Sequence, residues 1–324
     1  MWRKVLIFVA LTQAALAAAS GPSADKLMSE GRVDDAILVL QNGLNTAPND
    51  AGAHNLLCRA HFTLGNWDRG ISACEKAVSL EADNSQYHLW LGRIYGEKAD
   101  RANFLSAAGL AKKVRTELEA AVSLDPNNAA ARIDLAEFYI EAPGIVGGGK
   151  DKAEAQAEKL AALDPVKAGW VKGRLAEKKK DLAAAELAYR QAVEVSHGRA
   201  DAWVNLGRFY RNLGRLPEMQ EAIQHVSSAP LPQPSILMDA AEVLIRTGRD
   251  LPTAVQLLRR YISSNASAED DPLFKAHYVL GTVLEQQGDK AAAVQEYRAA
   301  LALAKEYSIA QTALSRLNHE VANK

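Results

Sequence analysis

The chain has 324 residues, enough for two ordinary domains or one elongated one. Its 38 Lys and Arg balance 39 Asp and Glu, which excludes the strongly basic footprint of a nucleic-acid binder. Abundant Ala and Leu with 6% aromatics favour helix over sheet. Residues 1–19 read as a secretory signal peptide. Arg3 and Lys4 form a basic start, Val5 to Leu11 an apolar run too short for a membrane span, and Ala15-Leu16-Ala17 a small-residue cleavage signal. No Cys follows the apolar run, which argues against a lipoprotein, and no later stretch could cross a bilayer. The mature chain is therefore expected to be exported, periplasmic or secreted, with no membrane span after cleavage.

From residue 20 onward the pattern is helical and repetitive. Stretches beginning at Ala53, Tyr87, Ala202 and Ala276 align with one another. Each opens a helix with Leu-Gly or a similar pair, followed by an aromatic residue or Leu and then Gly. A second helix carrying Ala-x-x-x-Tyr/Leu-x-x-Ala follows. Where the unit is complete its period is 34, as from Cys58 to Gly92 or from Gly173 to Gly207.

This pattern resembles the tetratricopeptide repeat, in which small residues stand at positions 8, 20 and 27 and a proline often closes the second helix. Position 8 is Cys58, Gly92, Ala136, Gly173, Gly207, Ala241 and Gly281 in successive units, and Pro48, Pro126 and Pro165 end three second helices. At position 20, Val114 and Met219 depart from the pattern. Two antiparallel helices approach closely only where side chains are small. The resemblance implies an all-α, right-handed solenoid of about eight helix pairs. Units 1–6 would span 20–229, a Pro-rich connection 230–234, units 7 and 8 235–306, and a capping helix 307–324.

Two units are expanded. The third carries about ten extra residues around Asp100 to Lys113, and the fourth holds the stretch Pro143 to Lys152, "PGIVGGGKDK". Gly144, Gly149 and Lys150 match half of a phosphate-binding loop. However, Asp151 stands where a hydroxyl should hold magnesium, and a helix rather than a strand precedes the motif. The stretch is expected to be a turn five residues longer than usual, similar to turns in other exported bacterial repeat proteins.

His54, Cys58 and His61 stand at i, i+4 and i+7 on one helix, with Cys74 on its partner, which suggests a zinc or copper site. The same positions are core positions of the repeat, and no short Cys-x-x-Cys signature accompanies them, so no metal is assigned. Cys58 and Cys74 are the only cysteines, equidistant from the turn between their helices. Either a disulfide or two small buried residues fits that placement. No nucleophile–base set is readable, so neither enzyme activity nor a cofactor is expected. The resemblance implies a non-catalytic scaffold or adaptor for a protein or peptide partner, suited to assembly of envelope or secreted complexes. A metal-handling or enzyme-associated accessory protein and a self-associating structural repeat protein are the alternatives. In the repeat family the partner lies in the concave groove, which here implies Asn55, Arg59, Phe62, Leu89, Arg93, Trp170, Arg174, Asn205, Arg208 and Arg211. An arginine stripe beside Trp170 suits an acidic-aromatic segment. The competing reading is arginines laid over neighbouring helices.

Overall fold

A computed structural model describes residues 22–322, so the signal-like segment 1–19 lies outside the described residues. All regular structure among them is helical. The first four antiparallel pairs are α1 (Ala24–Ser29) with α2 (Val33–Thr46), α3 (Ala51–Thr63) with α4 (Trp67–Leu80), α5 (Ser85–Ala99) with α6 (Phe104–Leu124), and α7 (Ala129–Glu141) with α8 (Lys150–Leu163). The next four are α9 (Pro165–Lys178) with α10 (Leu182–Val195), α11 (Ala200–Asn212) with α12 (Leu216–Val226), α13 (Ile236–Thr247) with α14 (Leu251–Ser263), and α15 (Leu273–Gln286) with α16 (Lys290–Leu303). A last helix, α17 (Ser308–Ala322), caps the stack and buries Ala310, Ala313 and Leu317. This is the expected all-α solenoid.

The helix boundaries are encoded locally. Asp50, Asn128, Asp181 and Asp289 cap α3, α7, α10 and α16, each side-chain oxygen accepting from the backbone N–H three residues on at 2.9–3.0 Å. Gly214 takes a left-handed conformation (φ 70°) between α11 and α12, as a helix-ending glycine does. Lys180 occupies the same point between α9 and α10 with φ 60° and lacks glycine's freedom.

Within a pair, position 8 is a socket for a side chain of the second helix. A Cβ on Gly173 would lie 2.4–2.7 Å from the Tyr189 ring, one on Gly281 2.6 Å from Tyr297, and one on Gly207 2.8 Å from Ile223. In α3–α4 the two facing positions are Cys58 and Cys74. Their sulfurs are bonded, their Cα atoms are 5.2 Å apart, and both residues are fully buried.

The extra residues of the third unit lengthen α6 to 21 residues. Those of the fourth form a 3-10 turn, Gly144–Val146, ahead of α8. The turn's own backbone consumes its N–H groups: Val146 and Gly148 donate to Pro143 O, Gly147 to Gly144 O, and Gly149 to Tyr139 O. A Cβ on Gly148 would sit 1.8 Å from Ala142 O, so only glycine fits there. Lys150 Nζ donates to Lys178 O at 3.3 Å. These donors are committed to holding the turn, and none is arranged to cradle a phosphate.

The stack curls until its ends meet. Leu27, Met28, Val33 and Leu56 share one apolar cluster with Phe274, Ala300, Ala304 and Ala310. Ser267 N–H donates to Ser29 O at 2.7 Å, and Lys305 N–H donates to Asp34 Oδ2 at 2.7 Å. The segment between α14 and α15, carrying Glu269, Asp270 and Asp271, crosses this seam, and there Glu269 pairs with Arg59. The Pro-rich connection 230–234 is also tied down: Ala200 N–H donates to Pro230 O at 2.9 Å, and Leu231 packs on the core.

Candidate functional site

Four of the five predicted groove arginines already hold a carboxylate. Arg59 binds Glu269, with Nε donating at 2.9 Å. Arg93 Nε donates to Asp134 Oδ2 at 2.6 Å. Arg174 reaches back from α9 to Glu141 on α7 at 2.7 Å, while Arg208 reaches forward from α11 to Asp239 on α13. Burial alone would depress Arg93 and Arg174. Asp134 beside Arg93, and Glu177 and Glu141 beside Arg174, outweigh it and hold both above the ordinary guanidinium value. Enclosure pushes the Asp239 carboxyl up to about 6, against the pull of Arg208. Arg211 differs: burial, then Arg246 and Arg208, depress it, and its Nη2 donates to Asn212 Oδ1 at 3.0 Å. The expected open basic stripe is corrected accordingly. Most of it is a ladder of ion pairs between successive first helices.

The other predicted residues divide. Phe62 packs edge-on against Trp67 and Trp90, with ring centroids 5.9 and 5.4 Å apart. Arg59 and Arg93 lie over the same Trp90 ring at 5.4 and 4.7 Å. Trp170 is half-buried between the two larger core clusters, and Asn205 is half-buried on α11. Asn55 is buried with its Nδ2 unpartnered among the described residues, beside a cavity of about 560 Å³ that Arg59 and Tyr87 also line. Leu89 is a second correction. It is 1% exposed, because α5 is packed between α4 and α6 and its side chain joins the core instead of facing the groove.

The metal alternative loses its two thiolates. Cys58 and Cys74 are bonded to each other, and His54 Nε2 lies 3.0 Å from Pro48 O. His61 is buried, and burial followed by Arg69 lowers its pKa. No group of three or more His, Cys, Asp and Glu residues able to hold a metal occurs among the described residues.

One feature of the groove was not read from repeat positions. A cavity of about 650 Å³ lies between α5, α6, α7 and the Gly144–Val146 turn. Phe62, Val114, Leu118, Phe138, Pro143 and Val146 give it apolar walls. Glu97, Asp100, Asp134, Glu137 and Glu141 ring it with carboxylates, and Asp270 adds another from across the seam. Arg101 compensates Glu97, Arg93 compensates Asp134, and Arg174 with Lys178 compensates Glu141. Asp100, Glu137 and Asp270 have no ion-pair partner among the described residues. Glu137 and Asp270 are open to water in the cavity, but the surrounding protein displaces bulk solvent. That desolvation, with Asp134 near both, outweighs the pull of Arg93 on Asp270 and of Arg174 on Glu137 and raises their carboxyls above the usual range. A signal for this site was present in the sequence: both expansions fall in adjacent units, and in the fold α6 touches the turn.

Comparison with known proteins supports the repeat reading. Tetratricopeptide repeat models match residues 27–94, 171–230 and 238–308, so the two expansions lie between matched ranges. Yeast Tom70 is similar over 99% of this chain and 68% of its own, at 14% identity and a TM-score of 0.54. A thermophilic TPR protein of Thermus thermophilus is similar over 57% of this chain and 94% of its own, at 21% identity and a TM-score of 0.48. A tetratricopeptide repeat protein from Parabacteroides merdae is similar over 82% of this chain and 98% of its own, at 13% identity and a TM-score of 0.47. No curated protein matches. At 14% identity the likeness to Tom70 concerns fold alone. No described helix is long and apolar enough to cross a membrane. With its small-residue sockets, its paired helices and matched repeats covering more than half of its length, the chain belongs to the tetratricopeptide repeat family.

Proposed function

We propose that this chain is a non-catalytic interaction scaffold that seats a segment of a protein partner on its concave face, anchored in the cavity between α5, α6 and α7. The carrying observation is the position of that cavity: it is open, mixed apolar and charged, and lies where two first helices, α5 and α7, meet the lengthened α6 and the expanded turn. The bonded Cys58–Cys74 pair and the signal-like start support work in an oxidising, exported compartment, where assembly of envelope or secreted complexes is the suited role.

A cavity-filling variant tests the reading. A Cβ at Gly96, which lines the cavity, meets nothing within 4 Å, and neither does one at Gly43 on α2, which does not line it. Gly96→Trp should therefore fill the cavity without displacing backbone. With tagged bait in native extract, it is expected to lose the partner that wild type and Gly43→Trp both capture, at unchanged helicity by circular dichroism. Equal capture by all three places the binding site elsewhere.

A further inference from the structure

The three most exposed large apolar side chains among the described residues are Ile145 at 89%, Phe104 at 87% and Leu105 at 83%; the next is Leu38 at 58%. All three belong to the two expansions, so a unit of ordinary length would carry none of them. Two of them stand beside residues of one cavity. Ala107, Ala111, Val114 and Leu118 are the α6 face that lines the cavity, and Phe104, three residues before Ala107, continues that face by one turn. Leu105 adjoins it. Ile145 stands between Pro143 and Val146, both of which line the cavity, in a turn that touches α6. The result is an apolar ledge beside a cavity holding three carboxylates without ion-pair partners among the described residues: Asp100, Glu137 and Asp270.

We infer that this ledge and cavity form one docking surface for an extended segment of a protein partner in which lysine or arginine alternates with large apolar side chains. The inference rests on the groove reading above and adds the partner's chemistry to it. Apolar side chains of the segment cover Phe104, Leu105 and Ile145, which otherwise stay in water at a cost proportional to their area. Its cationic side chains enter among Asp100, Glu137 and Asp270, which have no ion-pair partner among the described residues, feel Arg174 and Arg93 only at longer range, and sit where the local dielectric is below that of bulk water. The same carboxylates repel an anionic lipid surface, which favours a protein over a membrane as the occupant of the ledge. Lys112 and Lys113 do not line the cavity and leave its sign unchanged.

The test uses the full chain and fluorescein-labelled decapeptides in three series: Lys or Arg alternating with Leu or Phe, Asp or Glu alternating with the same residues, and Ser alternating with them. Fluorescence polarisation is expected to show the basic series binding at least about tenfold tighter than the other two. Phe104→Ser with Leu105→Ser should weaken it by about tenfold at unchanged helicity, and Glu137→Gln should weaken it by about threefold and flatten its salt dependence. Acidic peptides binding as well as basic ones, or no series binding, overturns the inference. So does co-sedimentation with phosphatidylcholine–phosphatidylglycerol vesicles that the double serine variant abolishes, or a dimer of this chain that the same variant dissolves. An acidic peptide displaced by Gly96→Trp would overturn the chemistry and leave the groove reading standing. Basic peptides that Gly96→Trp does not displace would remove the groove reading as well.

Discussion

From α9 to α12, and again in α15–α16, the stack follows its repeat rule. Glycine at position 8 receives Tyr189, Ile223 or Tyr297, and Arg174 and Arg208 pair with adjacent first helices. From α3 to α8 the same rule is broken repeatedly. Cys58 and Cys74 fill the socket covalently, α6 extends to 21 residues, a glycine-rich turn precedes α8, and Arg59 pairs across the seam with Glu269. Regular packing builds a curved frame that needs no partner to be satisfied. The irregular half leaves Phe104, Leu105 and Ile145 in water, and its cavity is lined by three carboxylates, Asp100, Glu137 and Asp270, that have no ion-pair partner among the described residues. A region that breaks local rules without an internal gain is where function is expected.

The contrast fails if the two kinds of socket are energetically alike. Removing the disulfide by Cys58→Ala with Cys74→Ala should cost about 3 kcal/mol in denaturant unfolding, because the bond closes a short loop of the unfolded chain. An unchanged midpoint would show that the irregular pair does not depend on its bond. In the regular half, Gly173→Ala should cost about 1–3 kcal/mol, since the new methyl collides with the Tyr189 ring. Gly96→Ala, with open space around its Cβ, should cost nothing and serves as the matched control. Lys180→Gly should raise stability by about 1 kcal/mol by relieving a left-handed lysine; a loss would mean that its side chain matters more than its backbone. The smallest effect sharpens the contrast most. Phe104→Ser should leave stability within about 0.5 kcal/mol, because the ring packs on so little.

The frame was legible because its information is local and periodic. Small residues recur at position 8, Asp or Asn caps the helices, and Pro48 and Pro126 end them. The state of the groove was not legible. Arg59 meets Glu269, 210 residues away, only because small rotations at each repeat add up until the ends touch, and no window of sequence contains that sum. Reading groove positions from one helix at a time therefore left Arg93 and Arg208 without their carboxylates and put Leu89 on a surface it does not reach. The cavity was half legible. Both expansions stood out against the period of 34, but their contact with each other is a tertiary fact. Residues 1–19, which carry the export reading, lie outside the described residues.

The most direct measurement places a photoreactive phenylalanine analogue at Ala107, on the cavity wall, or at Leu187, exposed on α10 away from it, and irradiates each full-length protein in its native extract. Docking in the cavity should give a discrete protein adduct from Ala107 and none from Leu187. Adduct from Leu187 alone, or equal adduct from both positions, would contradict it.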